Sequence, residues 1–277
     1  MIIDRRSFVA GAGSLTALSL AGGASAAQLG AVGIQLYTVR EIFQPDPAGT
    51  LEKIAKIGYR EVEYGGGGYD AMDHAMLRKT MDGLGLRSPS IHVGYDELLK
   101  NFDKSVAMAK TLGADTIVLP YMTDEYRTEA AWTAAMPNIN KFGTELKKRG
   151  LGFAYHNHDF EFTNKPGGVT LYDRLVKATN PAVVKLELDL FWAIAAGQDP
   201  AALIRRHAGR IYAYHVKDRK PDGKMTAVGA GTVNFGKIFT LNRTAGVRHF
   251  YVENDECPAP YIPDITKSFQ TLRALRF

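Results

Sequence analysis

The sequence predicts a single (β/α)₈ barrel, an α/β fold of the TIM type. Three observations point there. Eight short runs rich in β-branched and aromatic residues recur along the chain. Helical patterns alternate with them. Polar groups gather at the C-terminal ends of the last four runs, the end at which such barrels carry their chemistry.

The eight expected strands are AVGIQLYTV (31–39), YREVEYG (59–65), RSPSIHV (87–93), DTIVLPYM (115–122), GFAYHNH (152–158), VVKLELDLFW (183–192), IYAYHVKD (211–218) and HFYVEND (249–255). Most end in polar residues, as buried strands running into loops do. The helix after the first strand opens at Asp46-Pro47 and stops at Gly58, a good start and a good stop. NFDKSVAMAKTLGA and AAMPNINKFGTELKKRGLG end in the same way, at Gly113 and Gly150. Residues 171–178, 200–207 and 265–275 supply further helical stretches. A doubly wound open sheet is the rival, but no Gly-x-Gly-x-x-Gly follows the first strand. The glycines of EYGGGGYD lack that spacing and read as a loop.

Composition excludes several classes. The chain has 277 residues, 45% hydrophobic and 23% charged, which is ordinary globular material. Its net charge of +5 comes without a long basic block, so no nucleic-acid partner is expected. Cys257 is the one cysteine, which rules out an intrachain disulfide and a cysteine-based zinc site.

Residues 1–26 read as an export signal ahead of a barrel domain over 27–277. Arg5-Arg6 is followed by Ser-Phe-Val, a weakly apolar Ala/Gly/Leu stretch and the small-x-small site Ala24-Ser25-Ala26. That pattern resembles a twin-arginine signal and implies a periplasmic protein with no stable membrane span after cleavage.

Strand parity selects the candidate site. Alternate residues face the barrel interior. In the fifth strand these are Gly152, Ala154, His156 and His158; in the sixth, Lys185, Glu187 and Asp189. In the seventh they include Ala213 and His215, and in the eighth His249, Tyr251 and Glu253. Four neighbouring strands thus end in inward His156/His158, Asp189, His215 and Glu253. Buried charges are costly unless paired or bound to a metal, and an O/N donor set of this kind suits a divalent cation. Each residue has a bland alternative: a hydrogen-bonded core histidine, or for Asp189 a cap on the next helix. His249 sits at the barrel bottom, where a stabilising role is expected. His74 and His207 fall in helical stretches and read as surface.

Taken together, GIQLYTVRE, HVGYD, YHNHDFEF, LELDLFWA, YHVKD, YVEND and VGAGTVNFGKIF (228–239) resemble the xylose-isomerase-like barrel superfamily, the sugar phosphate isomerases/epimerases, over residues 30–277. The resemblance implies one divalent ion held by Glu, Asp, His and Glu from strands five to eight. Asp189, His215 and Glu253 match three of these. Where relatives carry the strand-five Glu this chain has His156. Glu161 is taken as the first ligand, with His158 or His156 as alternatives. Mn²⁺ is the ion expected first; Co²⁺, Fe²⁺, Mg²⁺ and Zn²⁺ match the same donors.

The chemistry the resemblance implies is proton removal beside a carbonyl, with His156, His158, Glu253 and Lys217 as the acid/base candidates. Isomerisation or epimerisation of a free or keto sugar is the first expectation. Lyase or dehydratase chemistry on a keto sugar or 3-keto-glycoside is the alternative on the same site. Trp192, Asn157, His92, Glu63 and Arg219 are candidates for gripping the sugar, the partner expected. A homo-oligomer is compatible with the sequence. Two rivals have less support: a nuclease of the endonuclease IV type and a non-catalytic sugar-binding protein.

Overall fold

The computed structural model describes residues 27–277. The expected export signal lies outside the described residues. Eight parallel strands form the barrel: β1 Gly33–Gln35, β2 Glu61–Glu63, β3 Ser90–His92, β4 Thr116–Leu119, β5 Gly152–His156, β6 Lys185–Asp189, β7 Ile211–Val216 and β8 His249–Val252. They pair in the order β2-β1-β8-β7-β6-β5-β4-β3. Single bridges Glu61–Arg87 and Tyr64–Ile91 join β2 to β3 and close the ring. The eight expected runs all contain a strand, each shorter than its run.

The trimming has local causes. The sixth run stops being a strand at Asp189, because its carboxylate accepts the Trp192 backbone N–H over 2.9 Å and caps the helix Leu190–Ala195. The expected helix starts behave as capping chemistry requires. Asp46 accepts from Gly49 N ahead of α1 (Pro47–Ile57), and Gly58 ends that helix at φ +120°. Two further helices are α2 (His74–Leu84) and α3 (Phe102–Leu112). α3 leads back from β3 and ends at the left-handed Gly113.

Two layers of apolar packing hold these elements. Outward strand residues such as Phe153, Tyr155, Leu186 and Leu188 pack with the helices in the main core. Inside the barrel a small cluster of Val118, Ala154, Tyr212, Ala213 and Tyr251 fills the lower part. His249 at the bottom pairs with Glu61 over 2.9 Å, a structural contact. His207 is not on the surface: it is buried, with its ring 5.6 Å from that of Tyr172. It stands just past the end of the helix Pro200–Arg206, as its C-cap. His74 is half-buried, its Nε2 3.0 Å from the Tyr69 carbonyl.

Among the described residues no helix is long and apolar enough to cross a membrane.

Candidate active site

Above the apolar floor the barrel holds two polar tiers. The lower tier contains Glu63 from β2, His92 from β3, Glu187 from β6 and His215 from β7. One oxygen of Glu187 lies 3.0 Å from His92 Nε2, 3.1 Å from His156 Nδ1 and 3.0 Å from His215 Nε2. Glu63 Oε2 lies 2.7 Å from His215 Nε2 and 3.1 Å from His92 Nε2, and accepts the Gln35 amide at 2.9 Å. Ser90 donates to the other Glu63 oxygen. Two buried carboxylates are tolerable here because imidazoles and amide or hydroxyl donors surround them.

Charge follows from that packing. Burial and the adjacent Glu63 push Glu187 up, yet His215 and His156 hold it down at about 2. Burial works against the His92 cation, but Glu63 and Glu187 raise its pKa to about 9. Burial opposes charge on His215 too, and Glu187 and Glu253 override it, so its pKa stands well above the usual imidazole value. Its Nδ1 lies 2.6 Å from Glu253 Oε2, so carboxylates stand at both ring nitrogens.

The upper tier forms the mouth. Lys217 Nζ sits 2.7 Å from Glu253 Oε2, 3.1 Å from Asp189 Oδ2 and 3.0 Å from Asp255 Oδ1. These carboxylates overcome burial and hold the ammonium charged, well above its ordinary pKa. Burial and Glu253 push Asp255 up to about 7. His156 and His158 stay neutral. Burial depresses both, aided by the His215 cation for His156, and burial with Lys217 takes His158 to about 3. The Nδ1 of His158 is buried without a hydrogen-bond partner.

The donor set at the mouth fits a divalent ion. Ligand atoms of Asp189, His215 and Glu253 lie within 4.8 Å of one another. Asp189 uses one oxygen to cap its helix; the other is buried and, beyond the contact with Lys217, has no hydrogen-bond partner. A carboxylate oxygen left in that state is what an oxygen-preferring cation would satisfy. Asp189 thus caps its helix with one oxygen and turns the other toward Lys217.

Glu161 does not reach the mouth. It lies in the short helix Phe160–Thr163, where it accepts from the Tyr155 hydroxyl over 2.8 Å and from the His158 backbone N–H over 2.8 Å. Tyr155 faces the outer core, so Glu161 is drawn away from the barrel interior. His156 is the strand-five group nearest the mouth carboxylates, with Nε2 3.7 Å from Asp189 Oδ2.

A cavity of about 590 Å³ opens above the two tiers. His92, His156, His158, Lys217, Glu253 and Asp255 line one end of it. Other expected grip residues have different placements. Glu63 lies below, in the lower tier. Asn157 clasps β5 to β6: its Oδ1 accepts from Asp189 N at 3.2 Å and its Nδ2 donates to the Asp189 carbonyl at 3.4 Å. Trp192 stands behind the wall, its ring 5.5 Å from His158 and 5.7 Å from Lys217 Nζ. Arg219 belongs to the hairpin of residues 218–219 and 225–226, outside the cavity wall.

Sequence reasoning gave Glu187 no site role, although its inward parity marked it. It also passed over Asp255, Tyr37 and Tyr121. Asp255 lies two residues past Glu253 in YVEND, where continued alternation beyond the strand would have flagged it.

Asp218, the last residue of HVKD, is a staple and not a ligand. Its two oxygens accept from the backbone N–H groups of Arg219, Gly229, Gly231 and Val233 at 2.8–3.1 Å. The loop after β7 is thereby pinned to the barrel.

Comparison with known proteins agrees with this architecture. The family model described as xylose isomerase-like TIM barrel matches residues 51–274. The chain is 24% identical over 151 residues to inosose dehydratase 1 of a Bacillus cereus strain, covering 48% of this chain and 50% of that protein. It is 23% identical over 230 residues to the inosose dehydratase of Geobacillus kaustophilus, covering 68% and 73%. The chain thus spans about half the length of the first of these relatives. A solved sugar phosphate isomerase/epimerase from Parabacteroides distasonis superposes with a TM-score of 0.76 at 27% identity, covering 94% of this chain and 98% of that one.

Proposed function

The chain belongs to the xylose isomerase-like TIM barrel family, and from that premise we propose that it removes a proton beside the carbonyl of a keto sugar and collapses the resulting enolate by β-elimination. The observation that carries this reading is His158: an imidazole in the cavity wall beside Lys217 and Glu253, with one ring nitrogen that has no hydrogen-bond partner. An imidazole nitrogen without a partner is free to take a proton; one already paired is not. His156 is the second imidazole in the wall, but its Nδ1 is committed to Glu187.

Lys217 faces the same space with a fixed positive charge. It stabilises negative charge developing on the carbonyl oxygen, as a preorganised cation does. Asp189, His215 and Glu253 are the residues that would hold a divalent ion, which when bound supplies Lewis acidity to the same oxygen. The proton taken by His158 returns to the departing β-oxygen, so water or an alcohol leaves and an enone remains. No electrons are gained or lost overall.

Elimination is favoured over epimerisation by strand five. Epimerisation needs a proton-carrying group on each face of the carbon, and the strand-five carboxylate that would supply one is absent. Its place is taken by His156, and Glu161 is turned outward. The inosose dehydratase likeness supports the same choice. Epimerisation is the second reading, favoured by Glu253, which lines the cavity with His158. The export-signal pattern adds a periplasmic location to the proposal and with it an unphosphorylated sugar.

Incubation with keto sugars in D₂O tests the reading. Deuterium entering at the carbon beside the carbonyl, with an enone accumulating, supports elimination. Inverted sugar without enone supports epimerisation. No exchange with any keto sugar, with and without added Mn²⁺, would overturn both.

A further inference from the structure

The cavity is longer than the chemistry needs. Its reacting end is bounded by His156, His158, Lys217 and Glu253. A second arm runs between the ends of β3 and β4 and the helices that follow β3, lined by Val93, Glu97, Lys104, Met108 and Tyr121. No group in that arm takes part in proton transfer. At about 590 Å³ the whole cavity is in the range that takes drug-sized ligands and exceeds what one hexose fills.

The arm has sugar-binding chemistry. Tyr121 keeps 42% of its surface exposed, and its ring is set edge-on to His158 with centroids 5.1 Å apart. The guanidinium of Arg127 lies 4.6 Å from that ring and fixes its tilt. Met108 supplies an apolar floor. Glu97 accepts from the Asn101 amide with one oxygen at 2.9 Å, and its other oxygen stands 3.9 Å from Lys104, too far for a hydrogen bond, so that oxygen and the ammonium keep bonding capacity. An aromatic face with nearby planar and ammonium groups matches the C–H faces and hydroxyl rim of a pyranose. Tyr37, on the opposite rim, is 39% exposed. It is seated by the glycine loop: a side chain at Gly66 would meet its ring at 2.5 Å. That is a structural reason for a glycine in EYGGGGYD.

We propose that this arm is a second-ring subsite and that the substrate is a glycoside. Its oxidised ring lies over His158 and Lys217; its second ring lies against Tyr121 and Met108, with hydroxyls bonded to Glu97 and Lys104. The proposal rests on the keto-sugar reading above for which ring reacts, but the binding it describes is measurable without turnover.

The test uses the full chain and two ligands: a 3-keto-hexose, and the same ring linked to a second glucose. Calorimetry and D₂O exchange give Kd and kcat/KM for each. About tenfold preference for the two-ring ligand is expected, the size of one good aromatic contact with its hydroxyl bonds. Tyr121→Ala and the exposed-helix variant Lys104→Ala should each shrink that preference severalfold through Kd and KM rather than kcat. Equal affinity for the two ligands, or variants that weaken both ligands alike, would overturn the subsite. If neither ligand exchanges deuterium while the two-ring ligand still binds preferentially and the preference falls in Tyr121→Ala, the subsite stands and the enolate reading fails.

Discussion

Tyr155 donates its hydroxyl to Glu161 across 2.8 Å on the outer side of β5, and that bond removes the nearest strand-five carboxylate from the mouth. The His158 backbone N–H occupies the other carboxylate oxygen. Glu161 thus fixes the backbone from which His158 projects. Glu161→Ala leaves two buried donors unpaired, each at a cost of about 1–3 kcal/mol. The expected outcome is a lowered Tm with the metal content of the purified protein unchanged. A Glu161→Ala protein that keeps its Tm and loses bound metal would restore Glu161 as a ligand.

Asp189 and Glu253 are expected to act together. Asp189→Asn and Glu253→Gln keep shape and remove a charge at the mouth. Each should cut bound divalent metal, read by elemental analysis, and deuterium exchange by about 100-fold or more, the scale for removing a preorganised electrostatic group. Unchanged metal and exchange in both variants would place the ion elsewhere.

Lys217 separates stability from metal binding. Lys217→Met leaves Glu253 and Asp189 facing each other without their ammonium, and breaking such a buried pair costs about 3–5 kcal/mol. Added Mn²⁺ can compensate the same oxygens, so the variant should gain more Tm from Mn²⁺ than the wild type does. Equal gains in the two proteins would show that the ammonium and the ion do not share those oxygens.

His207 governs part of the acid limb of stability. Burial first, and then Arg210 and Arg206, lower its pKa from 6.5 to about 4 in the folded chain. Between those values the unfolded chain binds the extra proton, so stability rises with pH across that window and is lost as pH falls through it. His207→Gln removes the titration and should flatten Tm between pH 6.5 and about 4 relative to the wild type. An unaltered acid slope would show that His207 is accessible enough to charge freely.

The barrel was legible because its rules are local. Alternation within KLELD or HFYVE assigns inside from outside, and Asp46-Pro47 or Gly113 announces a helix end with no knowledge of partners. The depth of an inward residue was not legible. Glu187 and Asp189 share a face two residues apart, yet one lies in the lower tier and the other at the mouth. Glu63 and His92 also fall in the lower tier through the stagger between neighbouring strands, which a single strand does not encode. Glu161 escaped for a different reason. Past His156 the strand ends, the alternation rule ends with it, and the direction of Glu161 is set by a hydrogen bond to an outward tyrosine. The Tyr121 arm was hidden because its other wall comes from α3, whose approach to the mouth depends on tertiary packing.

The Asp218 staple has a consequence for how this family member would be reshaped. Hydrogen bonds from the backbone amides of Gly229, Gly231 and Val233, with that of Arg219, to one carboxylate tie residues 229–233 to the segment after β7, so that loop is a fixed reference surface. Variation in what the cavity accepts then falls to its own lining, where the exposed Lys104 and Tyr121 stand. Laboratory evolution toward a new ligand should accumulate substitutions in that lining and leave Asp218 alone.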